Sequence, residues 1–546
     1  MYRAIVFKTH LQVTFQPHNM KHPRCILISQ VFLFLLLLTL SITSFAQPGA
    51  LDPSFAGNGK LRTLLGTSCQ AYDVKVQPNG RIVAAGYYTT SQNKTNFLVE
   101  RYTAAGVLDN TFAGGDGEQG ISFGDFSEAD ALALQPDGKI IATGSGRPIN
   151  YAFNFIAVRL NSDGSADKTF GTNGKVILQN TSGYDKVHVC LLPNGKIILA
   201  GSTYNSNLAS SSLTVVRLNA NGSIDYTFGT NGFQVVTIAA AAYTLGVKTV
   251  LQPDGKLVLS CGLSTLVNGY NQTQAALVRI NPNGGLDNTF GTGGIVIQNI
   301  NKQNTTAAND LLLQPDGKIV AAGSYLASSG LTNFLVMRFN TNGTMDNTFA
   351  GNGRAGISFN YNCGATSIVL QPSGDLIVGG SYNTGLNISF AIARLLPNGT
   401  PDDTFGSAQS GKVTTDLGSS DDINAMTLQP DGKLLAAGGS GNDMGFARYL
   451  VSGSGARSID PEPVTAIALQ PSLYPNPGKG LVNIVGLDAQ SATPYTLTDA
   501  AGIIRAKGNL SPGNPTQLNI AQLPAGVYFI QLQSKTTVHT LRFLKE

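Results

Sequence analysis

No tryptophan occurs in this chain, and beyond residue 46 only two histidines do, His188 and His539. They fall in separate stretches, so a Ser-His-Asp triad, a Cys-His pair or a multi-histidine metal site is hard to assemble, and both read as ordinary surface or strand residues. Cysteine is equally sparse. Cys69, Cys190, Cys261 and Cys363 form no Cys-x-x-Cys spacing and no repeated pair, which excludes a zinc knuckle. They read as buried free thiols, with one disulfide as the alternative. The first 46 residues contain no acidic residue. Arg3, Lys8, Lys21 and Arg24 precede an apolar run from Val31 to Leu40, broken only by Thr39, and Ser44-Phe45-Ala46 presents the small residues that a signal peptidase reads. A signal peptide over 1–46, cleaved before Gln47, is expected, with Met20 as an alternative start. The run is shorter than the ~20 residues a membrane span needs, and Cys25 lies ahead of it rather than behind, against a lipoprotein signal. Without that segment the chain carries 32 basic and 32 acidic residues, and nothing in it points to a nucleic-acid surface.

What the chain has is a repeat. Pro78, Pro136, Pro193, Pro253, Pro315, Pro372 and Pro430 open related motifs 57 to 62 residues apart, best seen in Gln135-Pro136-Asp137-Gly138-Lys139. Proline fixes φ at the first corner of a type I turn, Asp or Asn suits the second, and Gly supplies a left-handed residue, so each copy predicts a β-hairpin. The flanking runs, such as Leu132-Ala133-Leu134 and Ile140-Ile141-Ala142, are apolar without alternation, as strands covered on both faces require.

A second motif lies half a repeat away, as in Arg159-Leu160-Asn161-Ser162-Asp163-Gly164 with Asp167 and Phe170. Its Asp recurs at 52, 109, 167, 225, 287, 346 and 402, and its Arg at 101, 159, 217, 279, 338, 394 and 448. The six internal pairs are eight residues apart, yet Arg448 has no following Asp and Asp52 no preceding Arg. Four strands in about 58 residues is the size of a propeller blade. The fold class expected is therefore all-β: a seven-bladed β-propeller over 47–452 whose split closing blade brings Asp52 to Arg448. An open solenoid would leave both half-units unpaired.

The Gln-Pro-Asp-Gly-Lys and Leu-Asp-x-Thr-Phe-Gly motifs resemble the delta-60 repeat family of bacterial secreted proteins, which implies a propeller-like fold and no agreed catalytic residues. The Asx-rich turns, among them Asn219, Asn221, Asn281, Asn283, Asn340 and Asn342, read as structural, with calcium as the alternative and no other cofactor expected. The repeated arginines read as partners of their own aspartates, with an anion-binding ring of cations as the alternative. Asp116, Glu118, Asp125, Glu128 and Asp130 form a non-repeated acidic cluster that reads as a solvated loop. Candidate ligand-binding residues are Tyr87, Tyr88, Tyr151, Tyr204 and Tyr270, placed in the variable connection between the third and fourth strands of their units, where exposed Tyr suits sugar or protein recognition.

After Leu450 the repeat stops, and 453–470 reads as a linker. Residues 471–546 carry Leu473-Tyr474-Pro475-Asn476-Pro477, Leu523-Pro524-Ala525-Gly526-Val527-Tyr528 and a final Leu541-Arg542-Phe543-Leu544, which suit a small β-sandwich of six or seven strands. This order of motifs resembles the type A sorting domain of the type IX secretion system of Bacteroidetes. The resemblance implies export to the cell surface or medium, with the secretion machinery as a partner. The expectation is an exported propeller, not an enzyme, that binds a glycan or a surface protein. The alternatives are a structural surface or adhesin component and a carbohydrate-active enzyme using propeller carboxylates.

Overall fold

A computed structural model describes residues 47–451 except 150–151, 180, 182–185, 206–209, 239–241, 268–269, 301–304 and 407–409. It also describes 472–545 except 475–479, 486–491, 500–502, 512–515 and 534–537. The expected signal peptide and linker lie outside the described residues; among the described residues, no helix is long and apolar enough to cross a membrane.

Among the described residues the repeats form seven four-stranded antiparallel sheets. Blade 1 runs, from the axis outward, Ser68–Val76, Ile82–Thr89, Thr95–Tyr102 and Glu118–Ile121. Blades 2 to 6 repeat this order, with inner strands Ser127–Leu134, His188–Leu191, Ala242–Leu251, Thr306–Leu313 and Asn362–Leu370. Blade 7 takes Asp421–Leu428, Leu434–Ser440 and Asp443–Tyr449 from one end of the repeat region and its outermost strand, Lys60–Thr63, from the other. Six inner hairpins turn at a Pro-Asx-Gly loop and that of blade 6 at Pro372-Ser373-Gly374, all closed by backbone bonds such as Gln135 N–H to the Lys139 carbonyl at 2.8 Å.

Apolar strands on both faces leave each sheet needing cover from its neighbours, and the core divides accordingly. Seven hydrophobic clusters each join two successive blades. One joins blade 7 to blade 1 through Met444 and Phe446 against Cys69, Leu98 and Tyr102. The ring is therefore closed by packing as well as by strand pairing.

The repeated Arg and Asp make the bond between blades. Each Arg Nε donates to the Asp Oδ2 of its own hairpin at 2.5 to 2.7 Å. Its Nη1 reaches a backbone carbonyl of the next blade, as Arg217 does to Pro282 at 2.6 Å, and its guanidinium lies 4.5 to 4.8 Å from the repeated Phe. Arg448 makes the same set across the chain's two ends: Asp52 at 2.7 Å, the Ser54 hydroxyl at 2.9 Å, and the Ala104 carbonyl of blade 1. The Gly of the Asx turn completes the joint. Gly343 has φ +87°, and a Cβ there would lie 2.9 Å from the Phe290 ring of the preceding blade.

One buried charge departs from the pattern. Glu100 stands where blades 2, 3 and 4 have Val158, Val216 and Val278; it is 1% exposed and accepts the Tyr102 hydroxyl at 2.5 Å. Burial pushes its carboxyl up to about 7. Since the folded state holds the proton more tightly, stability falls as pH rises from about 4.5 to about 7. Glu100→Gln is expected to leave the thermal midpoint at pH 5 nearly unchanged and to raise stability at pH 8 by about 3 kcal/mol. Equal shifts at both pH values would refute this.

The C-terminal residues form two sheets. Ser472–Tyr474, Leu481–Val485 and Thr516–Asn519 make one, and Ile504–Leu510, Thr493–Asp499, Gly526–Gln533 and Val538–Lys545 the other. They share a core of Val482, Ile484, Leu497, Tyr528, Ile530 and Phe543, a seven-stranded sandwich among the described residues.

Candidate functional site

In six of the seven inner strands the register with the second strand slips by one or two residues. The slips fall at Tyr72, Asp130, Gly246-Val247, Asn309, Thr366 and Asn424. A bulge re-aims side chains that regular pleating would bury between blades. Here it turns them to the propeller axis, where a cavity of about 400 Å³ is lined from every blade: Tyr72, Asp130, Lys186 to His188, Leu245 to Lys248, Asn309, Thr366 and Asn424.

One side of this channel is a structural belt. Asn309 Nδ2 donates to the Ala365 carbonyl at 2.8 Å, Thr366 Oγ1 to the Ile423 carbonyl, and Asn424 Nδ2 to the Ala71 carbonyl at 2.8 Å. Each therefore ties its blade to the next. The other side is charged and unrepeated. At the mouth, Lys186 Nζ lies 4.2 Å from the Tyr72 ring centre, and Tyr72 packs against Tyr87 with ring centres 5.7 Å apart. Glu128 faces Tyr72, and Asp422 accepts Gln70 Nε2 at 2.9 Å. Burial raises both carboxyls above their usual range, with Lys186 opposing it, and burial raises the Tyr72 phenol so that it stays a donor. Deeper, Asp73 pairs with Lys75 at 2.8 Å. Burial alone would raise its carboxyl, but Lys75 and Lys248 hold it below its usual value. Burial, helped by Lys248, pushes the His188 imidazole well below its ordinary pKa, so it is neutral.

The tyrosines singled out from sequence do not gather. Tyr87 and Tyr88 lie within the strand Ile82–Thr89, not in the connection after it, because Tyr continues a strand as readily as Val. Tyr87 reaches the channel mouth through Tyr72, whereas the Tyr88 hydroxyl is bonded to Asn96 Nδ2 at 3.2 Å. Tyr204 is in the strand Ile197–Asn205, partly exposed, and Tyr270 opens the strand Tyr270–Ile280. Tyr151 lies outside the described residues.

The acidic cluster is not one solvated loop. Glu118 belongs to an outer strand, Glu128 and Asp130 belong to the inner strand of blade 2, and Asp130 is 5% exposed. His188 is likewise an axial residue rather than a surface one. The positions that mattered carry a sequence signal: six and five residues before each repeat proline, otherwise similar units hold Tyr72-Asp73, Asp130-Ala131, Val187-His188, Val247-Lys248, Asn309-Asp310, Thr366-Ser367 and Asn424-Ala425.

The repeated arginines and Asx turns are occupied by structure. Every repeated Arg is at most 8% exposed. In the turns, Asp163 Oδ1 accepts the Ser165 amide and hydroxyl at 2.9 and 2.7 Å, and Asn221 and Asn342 do the same for Ser223 and Thr344. All four thiols among the described residues are free.

Six stretches, 77–112, 135–170, 192–228, 252–290, 314–349 and 371–405, match the family model of a domain of unknown function, the DUF5122 β-propeller. Residues 472–546 match that of a secretion system C-terminal sorting domain. Each repeat match runs from the turn at a repeat proline to the next repeated Phe, a window that in blade 7 is split between the two ends of the repeat region. No curated protein matches the chain. Among solved structures, a polysaccharide lyase is similar at 11% identity and TM-score 0.43, covering 70% of this chain and 90% of that one. An α-L-arabinofuranosidase from Fusarium graminearum is similar at 10% identity and TM-score 0.39, covering 59% and 92%. A protein of unknown function from Dyadobacter fermentans is similar at 11% identity and TM-score 0.38, covering 72% and 100%.

Proposed function

We propose that this chain, a β-propeller of DUF5122 repeats exported through a type IX secretion C-terminal sorting domain, binds a glycan at the mouth of its axial channel. The observation that carries the reading is the asymmetry of the channel. In a fold built from near-identical units, Tyr72, Tyr87, Gln70, Glu128, Lys186 and Asp422 are not repeated, converge from blades 7, 1, 2 and 3, and leave an open cavity. Aromatic faces beside planar polar groups suit sugar rings, which present apolar C–H faces and hydroxyl edges. The test is binding of the purified mature chain to an array of polysaccharides, with calcium and with chelator. A saturable hit is expected, unchanged by chelator because the Asx oxygens are already spent on their turns. A blank array would favour a structural surface component instead.

The raised carboxyls of Glu128 and Asp422 on one rim favour a second reading, cleavage of the bound glycan by an acid and a carboxylate. New chain ends appearing on incubation with the array hit, and lost in Glu128→Gln, would establish it.

A further inference from the structure

We infer that the wall of the axial channel around Lys248 is a carboxylate subsite, which makes the preferred ligand an acidic glycan carrying uronic-acid residues. The inference rests on the glycan reading and adds the ligand's charge.

Its starting point is a lysine on the cavity wall that makes no direct bond within the fold. Lys248 lies five residues before its repeat proline, where the other blades have Asp73, Ala131, His188, Asp310, Ser367 and Ala425, and of these seven only it and His188 line the cavity. Three of those brace the next blade by accepting a backbone amide: Asp73 from Leu132 at 2.8 Å, Asp310 from Ile368 at 2.9 Å and Ser367 from Met426 at 3.0 Å. A lysine has no acceptor and cannot do this. Its charge acts on the buried Asp73 and Asp310 without direct contact. Lys75 is held by Asp73 and the turn lysines by the repeated aspartates, as Lys318 is by Asp346 at 3.1 Å. Among the described residues Lys248 Nζ has no hydrogen bond or ion pair, although it is half-buried and lines the cavity.

The carboxylates nearby are committed elsewhere. Asp73 and Asp310 each hold two backbone amides, and Asp130, on the cavity wall, accepts the Val187 amide at 2.9 Å. The cations on the wall, Lys186 and Lys248, come from adjacent blades and flank His188, whose buried Nδ1 has no partner. A ligand carboxylate against Lys248, a ligand hydroxyl at His188 and a sugar ring beside Tyr72 would engage Lys248 and His188 at once. The cavity, about 400 Å³, falls within the roughly 300–1,000 Å³ typical of small-ligand sites.

The test compares each of polygalacturonate, alginate and hyaluronan with its own carboxyl-reduced polymer, using the full mature chain and its Lys248→Met variant. The wild type is expected to bind at least one acidic polymer about tenfold more tightly than its reduced form. Lys248→Met, which keeps the apolar stem, is expected to abolish that preference while still binding the reduced polymer, which shows that the variant is folded. Equal binding of acidic and reduced polymers by the wild type, or an acid preference that survives Lys248→Met, would overturn the carboxylate subsite and leave the glycan reading standing. Failure to bind any acidic, reduced or neutral polymer would overturn both.

Discussion

Arg448→Met is expected to destabilise the propeller by about 3–5 kcal/mol, the usual cost of removing one partner from a buried ion pair. Arg448 and Asp52 are 3% and 4% exposed, so the substitution takes the buried cation away from a buried carboxylate. The same carboxylate also holds Lys433 at 3.1 Å, but that ammonium is on the surface side, and Lys433→Met should cost less than about 1 kcal/mol. What distinguishes Arg448 from the internal Arg217 is connectivity. Loss of Arg448 frees the closing segment at residues 47–63, which is otherwise held by its pairing with Asp443–Tyr449 and by backbone bonds such as Asp52 N–H to the Arg448 carbonyl at 2.8 Å. Thermal melting should therefore show similar losses for Arg448→Met and Arg217→Met, and limited proteolysis should clip residues 47–63 only in the former. A loss within 1 kcal/mol, or equal resistance to protease, would show that the terminal joint is not a bond of the ring. Acid should mimic the mutation. Burial would raise the Asp52 carboxyl, but Ser54, Lys433 and Arg448 together hold it at about 2. A depressed carboxyl contributes stability above its unfolded pKa of 3.8, and that contribution is lost as pH falls through about 2.

Removal of Val538–Lys545 is expected to abolish appearance of the protein at the cell surface and in the medium, with the precursor retained in the periplasm. The strand pairs along its whole length with Gly526–Gln533, from Gly526 opposite Lys545 to Gln533 opposite Val538, and it delivers Phe543 to the sandwich core, so its loss destroys one sheet of the sorting domain. Among the described residues the propeller core shares no cluster with that domain, and the retained protein should keep its melting transition. Fractionation followed by immunoblotting reads both. Normal export of the truncated chain would mean that these residues are a binding module and not an address.

Most of the fold was legible in the sequence because its determinants are local and repeated. A Pro-Asx-Gly turn announces its hairpin, and an Arg eight residues before an Asp announces an ion pair that the structure places at every joint. The unpaired Asp52 and Arg448 carried long-range information for the same reason: repetition made their solitude visible. The candidate site was harder to read. A bulge is a slip in register between two strands, and nothing in the single strand Ser127–Leu134 says that Asp130, rather than Ala129 or Ala131, will face the axis. Tyr87 and Tyr88 read as connection residues because the apolar part of their strand ends at Ala85, whereas Ile82–Thr89 continues past it. The axial residues looked like strand residues, which they are. Only comparison of the units position by position separates Tyr72, His188 and Lys248 from the small and apolar residues beside them.

The measurement that bears most directly on the central claim is a pair of dissociation constants for one array-selected glycan, taken with Tyr72→Ala and Tyr204→Ala. Tyr72 lines the axial cavity, and Tyr204 is partly exposed on the second strand of blade 3. An axial site predicts a loss of at least about tenfold for Tyr72→Ala, equivalent to 1.4 kcal/mol, and no change for Tyr204→Ala. Unchanged binding by Tyr72→Ala with a loss in Tyr204→Ala would move the site from the axis to the rim and contradict the account.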